Sequence, residues 1–166
     1  IGAKLHPFPG FIASVCQLRP ESRGFVHIKS ADPAAAPAIQ PRYLSAQSDR
    51  DTMLAGSKLM RNIMRQPAMR RYIAEERLPG RARESDADFL SYMRETGTTI
   101  FHPTSTCRMG PDPKAVVDER LRVRGFERLR VIDGAVMPTV VSGNTNAAIV
   151  MIGEKGADMV LQDARA

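Results

Sequence analysis

Phe101-His102-Pro103-Thr104-Ser105-Thr106-Cys107-Arg108-Met109-Gly110, joined further along by Ser142-Gly143-Asn144-Thr145-Asn146, holds almost all the chemistry this chain offers. Pro103 fixes its own φ and pushes His102 out of helical geometry, so the first stretch reads as a loop carrying a lone imidazole among small hydroxylic residues. A histidine held on such a loop is a candidate proton acceptor, because imidazole ordinarily titrates near neutral pH. The second stretch sets an amide where a loop gives way to the apolar run Ala147 to Ile152, which reads as the start of a helix. The first turn of a helix aims unpaired N–H groups and a positive dipole end at whatever lies in front, so an anion or a developing negative charge would be stabilised there.

Upstream of the histidine loop, Ser85 with Asp88 offers a capping box that opens a helix through Phe89, Leu90 and Met93, with Gly97 as its stop. From Ser48-Asp49-Arg50-Asp51, a helix N-terminus with early acids, the residues Met53, Met60, Ile63 and Met64 recur at helical spacing until Pro67. Those methionines read as core filler, since Met fits irregular gaps. A short helix over Ala68 to Glu76 is expected to follow, broken by Pro79-Gly80. Nearer the start, Phe11 to Leu18 and Gly24 to Lys29 read as a hairpin around the turn Arg19-Pro20-Glu21-Ser22-Arg23, with Ala38-Ile39-Gln40 and Tyr43-Leu44 as a third extended piece.

Downstream, Ala115 to Asp118, Leu121 to Val123 and Leu129 to Asp133 are strand candidates, and Asp133-Gly134-Ala135 is a turn. The last helix is expected from Thr145 to about Leu161, and its first two turns are apolar nearly all round, which predicts burial on several sides. Gly153 and Gly156 on that helix would permit close approach of another backbone. The pattern as a whole predicts an α+β fold, an antiparallel sheet with helices.

The 166 residues suffice for one domain with a real core, and 43% hydrophobic with 25% charged residues is ordinary for a soluble globular protein. The chain opens with Ile1 and carries neither a signal peptide nor an apolar run long enough to span a bilayer, so a piece of a longer soluble, cytoplasmic protein is expected. Cys16 and Cys107 stand far apart and imply no disulfide framework. His6, His27 and His102 lack the spacing of metal ligands. His102 and Cys107, five apart on a loop with proline, give no assurance of facing each other as a nucleophilic pair. The net charge of +6 comes mainly from arginine, seven of them between Arg61 and Arg83. With only 5% aromatics and no groove-reading or base-stacking motif beside that charge, a solvated basic face is expected and a nucleic-acid partner is not.

The ordered series His102-Pro103-Thr104-Ser105-Thr106-Cys107-Arg108-Met109-Gly110, Val117-Asp118, Leu129-Arg130-Val131-Ile132-Asp133, Met137-Pro138, Ser142-Gly143-Asn144-Thr145-Asn146-Ala147 and Ile152-Gly153-Glu154-Lys155-Gly156-Ala157-Asp158 resembles the C-terminal part of the glucose–methanol–choline (GMC) oxidoreductases, flavoenzymes that oxidise alcohols. Arg19-Pro20-Glu21-Ser22-Arg23-Gly24 with Ser30-Ala31-Asp32-Pro33 is similar to the choline dehydrogenase and alcohol dehydrogenase branch in particular. That resemblance implies that residues 1–113 belong mainly to a substrate domain, and that residues 114–166 supply a closing strand and helix to an FAD-binding domain. No Gly-x-Gly-x-x-Gly stands in the chain, so the N-terminal Rossmann part that holds FAD is absent from it, and alone it is expected to bind FAD weakly and to be inactive.

Carried over by the resemblance, His102 matches the histidine that accepts the alcohol's hydroxyl proton while hydride leaves for the flavin, and Asn144 matches the second active-site position. An amide is no base, so Asn144 is expected to donate to the substrate oxygen as alkoxide character develops. Asp133, Gly134 and Ala135 match a turn whose backbone approaches the cofactor, and Pro103, Thr145 and Asn146 sit beside the flavin in the family pattern. One departure is Thr104-Ser105-Thr106, where relatives often carry a glycine. The resemblance implies a small alcohol as substrate and oxygen or a quinone as electron acceptor. The competing expectation is a non-catalytic binding or oligomerisation module, in which the apolar helix from Thr145 drives self-association.

Overall fold

A computed structural model describes residues 6–165. The elements in order are β1 (Phe25–His27), β2 (Ala38–Gln40), α1 (Gln47–Arg65), α2 (Pro67–Arg70), α3 (Asp86–Thr96), a 3-10 turn at Gly134–Val136 and α4 (Asn146–Asp163). The class is α+β, helices with a small antiparallel sheet. The chain divides into two compact units, one formed by Ile1–Gln17 with Arg50–Gly97 and the other by Leu18–Asp49 with Thr98–Ala166.

In the first unit the helices are held by local signals. Ser85 accepts from the Asp88 N–H at 3.1 Å while the Asp88 carboxylate accepts from the Ser85 N–H at 3.0 Å, the reciprocal box that stops the first turn of α3 from fraying. Gly97 ends the helix, donating its N–H to the Met93 carbonyl. Phe89, four residues in from the cap, is buried, and the Arg61 guanidinium lies 4.5 Å from its ring centroid. Arg61 also pairs with Glu76 and donates to the Arg83 carbonyl at 2.6 Å, so one side chain of α1 ties down the irregular segment 76–83. Leu54 is the buried residue of α1, and Met53, Met60 and Met64 are half-buried beside that face, whereas Ile63 is exposed. The helix expected over 68–76 stops at Arg70: Pro67 starts it at the first helical position, but no cap bond or apolar face carries it further.

In the second unit the expected hairpin takes a different partner. β1 pairs antiparallel with β2, Phe25 opposite Gln40, Val26 opposite Ile39 and His27 opposite Ala38, while Phe11 to Leu18 forms no ladder and leaves Phe11 and Ile12 exposed. Gly24 accounts for the choice: a Cβ there would collide with the Gln40 carbonyl, so only glycine lets the two backbones meet at the mouth of this ribbon. Asp49 lies in the first turn of α1, but its carboxylate is buried and accepts from the N–H groups of Glu21 and Ser22 at 2.9 and 2.8 Å, which fixes the 19–23 turn.

The core of this unit is Val117, Leu121, Val136, Met137 and Ile152, with Ile132, Ile149 and Met159 packed around it. The strands expected at 115–118, 121–123 and 129–133 are reduced to isolated bridges, Met109 with Val117, Val117 with Val123 and Arg122 with Arg130. Turns every few residues leave no room for a ladder, and single backbone bonds such as Met109 N–H to Val136 O at 2.8 Å and Val131 N–H to Leu121 O at 3.1 Å hold the segment in place. One face of α4 packs on this core through Ile152 and Gly156, where Ile132 sits so close that a Cβ would overlap it. The opposite face is exposed at Val150 (56%) and Met151 (58%), and Gly153 has open space before it, so burial on several sides is not realised within this chain. At the far end of α4, Asp163 receives Arg120 at 2.5 Å together with Arg130, while Arg130 also donates to the Arg120 carbonyl. Among the described residues no helix is long and apolar enough to cross a membrane.

Candidate functional site

The site grows from two loops of the second unit. Phe101 and Ser105 hold left-handed φ values of 62° and 72° on either side of His102 and Pro103, an arrangement that costs non-glycine residues on the order of 1 kcal/mol each and persists only where surrounding bonds enforce it. Two bonds enforce it: the Cys107 N–H donates to the Ala135 carbonyl at 3.0 Å, and the Met109 N–H to the Val136 carbonyl. The histidine loop is thereby stitched to the 3-10 turn. That turn is itself capped by Asp133, whose carboxylate accepts from the Ala135 N–H at 2.6 Å.

His102 is half-buried, and its Nδ1 lies 2.9 Å from the hydroxyl oxygen of Thr145. Thr145 is 4% exposed and is the N-cap residue of α4; its carbonyl accepts the first helical bond, from the Ile149 N–H at 2.9 Å. Its side chain makes no cap bond to the helix backbone. Gly134 lies buried beneath Ile149 of the same helix, with the Pro103 carbonyl nearby. His102, Pro103, Gly134 and Thr145 are therefore brought to one place, with Asp133 and Ala135 next to it.

Asn144 and Asn146 flank Thr145 and are exposed. Among the described residues no hydrogen bond joins Asn144 to His102, and the cap position falls to Thr145, not to the asparagine. The N–H and carbonyl of Ala135 are both taken within the chain. Arg19 donates from Nε to the Ser142 hydroxyl at 2.7 Å, anchoring the loop that presents Asn144. Sequence reasoning passed over this Arg19 contact and the pairing of Thr145 with His102. The signal for the second was a threonine immediately before a helix, a residue type that usually spends its hydroxyl on the cap.

The charges nearby are paired. Arg108, on the histidine loop, donates to Asp112 at 2.8 and 2.7 Å and holds that carboxyl at about 2. Burial opposes ionisation of Asp118, but bonds from Arg122 and from the Arg120 N–H keep its pKa below the ordinary value. Bonds from Arg120 and Arg130 lower that of Asp163. The cavity of about 590 Å³ in this unit lies under the 122–130 turn beside Asp163, away from His102.

The first-turn N–H groups of α4 have no intrahelical acceptor and no side-chain cap, and Asn146 and Ala147 there are exposed. A half-buried imidazole beside uncapped donors suits proton abstraction next to a group that gains negative charge.

A family model described as GMC oxidoreductase matches residues 20–153. The alcohol dehydrogenase [acceptor] of Pseudomonas putida is 43% identical over 161 residues, 97% of this chain and 29% of the relative. An oxygen-dependent choline dehydrogenase of Klebsiella pneumoniae is 44% identical over 151 residues, 91% of this chain and 27% of the relative. The chain thus spans less than a third of the length of these relatives. Among solved structures, an FAD-dependent oxidoreductase from Chaetomium thermophilum superposes with a TM-score of 0.82 at 31% identity, covering 89% of this chain and 26% of that one. Pyridoxine 4-oxidase from Mesorbium loti does so with 0.79 at 33%, covering 85% and 28%.

Proposed function

This chain belongs to the GMC oxidoreductases, and on that premise we propose that it works as the C-terminal part of an FAD-dependent enzyme that oxidises an alcohol to the aldehyde. The observation that carries the reading is the half-buried imidazole of His102, held by one nitrogen at the N-terminus of α4. Residues 1–113 serve mainly the substrate side, and residues 114–166 return to the flavin side.

The donor set fits an electron-rich ring: α4 presents N–H groups with no acceptor of their own, and Pro103, Gly134 and Thr145 lie together beside it. Pro103, Asp133, Gly134, Ala135, Thr145 and Asn146 would hold the flavin, the 133–135 turn by contact and α4 by its dipole. Bound FAD supplies the hydride acceptor. The rest of the chemistry falls to this chain. His102 takes the hydroxyl proton at Nε2, the nitrogen that Thr145 does not engage. Asn144, exposed and anchored through its loop by Arg19 on Ser142, donates to the alcohol oxygen as negative charge builds there. The electrons then pass to oxygen or a quinone-like acceptor. The relatives named alcohol dehydrogenase [acceptor] and oxygen-dependent choline dehydrogenase support an alcohol substrate.

Anaerobic mixing of the natural protein with a series of primary alcohols tests this. Loss of the oxidised-flavin absorbance with at least one alcohol is expected; an unchanged spectrum with all of them contradicts it. The exposed apolar side chains Val150, Met151 and Leu161 on α4 favour a second reading, a self-associating module that buries this face in another copy. In the enzyme reading the same face is covered by another part of the protein.

A further inference from the structure

We propose that Thr145 is a positioning residue for the proton transfer: its hydroxyl accepts from Nδ1–H of His102 and so fixes the tautomer in which Nε2 is the free base. The inference rests on the reading of His102 as proton acceptor and adds what makes that histidine competent.

The distance of 2.9 Å between Thr145 Oγ1 and His102 Nδ1 joins residues forty-three apart in sequence, so the pairing is a product of the fold and not of neighbouring backbone. Thr145 is almost fully enclosed whereas His102 is half-exposed, so Nδ1 is the nitrogen on the inner side, and Nε2, across Cε1 from it, is left for a substrate. The threonine is a rigid partner. Its carbonyl takes the Ile149 N–H, and the helix it opens is seated on the core through Ile152 and through Gly156 against Ile132. At this position a threonine ordinarily caps its helix. Here the side chain makes no cap bond, and the hydroxyl goes to the imidazole.

Neutral imidazole carries a single ring proton. With that proton on Nε2, His102 is a donor toward the substrate and takes no proton from it. With it on Nδ1, donated to Oγ1, the lone pair of Nε2 is free. As Nε2 takes the alcohol's proton and the ring becomes imidazolium, the Nδ1–H bond to Thr145 turns charge-assisted and shortens the list of ways the ring can turn aside. Loss of the hydroxyl leaves the ring free to exchange tautomers and to rotate. Such misplacement of a reacting group by about an ångström costs up to ~100-fold in rate.

The test is the ring-nitrogen NMR spectrum of the natural protein labelled with 15N-histidine, read for wild type, Thr145→Val and Thr145→Ser. Wild type and the serine variant are expected to show His102 with Nδ1 protonated and Nε2 bare, and the near-isosteric valine variant to show exchange-averaged nitrogens. In the flavin-loaded protein, Thr145→Val should slow flavin reduction by alcohol at least about tenfold, with serine restoring most of it. A wild-type spectrum with Nε2 protonated, or a valine variant with unmoved nitrogen shifts, overturns the proposal, and the wild-type arm needs no variant to fold. His102→Ala in the same assay separates the two claims. If alanine leaves the rate intact, the base reading fails; if alanine abolishes it while valine changes neither tautomer nor rate, the positioning role alone fails.

Discussion

Residues 50–97 and residues 98–163 become ordered by opposite means. The first stretch is mostly helix, held by signals a few residues apart: the Ser85–Asp88 box, the Gly97 stop, and Arg61 reaching over Phe89 to Glu76. From Thr98 to Asp133 the second has no regular element beyond isolated bridges, yet it holds the largest fully enclosed side chains among the described residues, Val117 and Val136, and the site chemistry. Regular secondary structure and the ability to hold a reactive group are therefore separable. An irregular loop is made rigid by single long-range bonds, such as Cys107 to Ala135 and His102 to Thr145, closing over a small dense core.

The second stretch is most vulnerable at that core. Val136→Ala removes two methyl groups from a site with 0% exposure and should cost about 2 kcal/mol, through lost transfer energy and an unfilled space. Because Val136 also takes the Met109 N–H, hydrogen exchange at the 101–110 loop should rise with it, and protection unchanged there would show that the loop is held by something else. Ser85→Ala sharpens the other half. Loss of the box should cost about 1 kcal/mol by chemical denaturation, with fraying confined to the first turn of α3; loss of order in the 98–163 segment would mean the two stretches are not independent.

The smallest effect is electrostatic. Arg108 holds the Asp112 carboxyl at about 2, below its ordinary value. A folded pKa below the unfolded one contributes stability that is present above the unfolded value and lost as pH falls through the folded one. Between pH about 4 and about 2 the melting temperature of wild type should therefore fall more steeply than that of Asp112→Asn, and parallel curves would show the pair to be without effect.

The same division decides which elements local sequence patterns reveal. α1 and α3 were legible to within a residue or two because periodicity and caps are local. The ribbon was half legible: the Val/Ile run at 25–28 marks a strand, but its partner depends on Gly24 fitting beneath Gln40, a contact no local pattern encodes. The strands expected after residue 114 dissolved into bridges because turns interrupt them every few residues. Of the site, His102 stood out through its flanking proline and hydroxylic residues, whereas the role of Thr145 was hidden. Nothing local marks a partner for a threonine at the start of a helix, and only the fold reveals that its hydroxyl goes to an imidazole.

Whether His102 is the proton acceptor can be read from rapid-mixing reduction of the flavin by alcohol in the natural protein and its His102→Ala variant. The rate should fall by at least about a hundredfold, the scale of losing a general base, with FAD content and melting temperature retained. A variant that reduces its flavin within about threefold of wild type would contradict it.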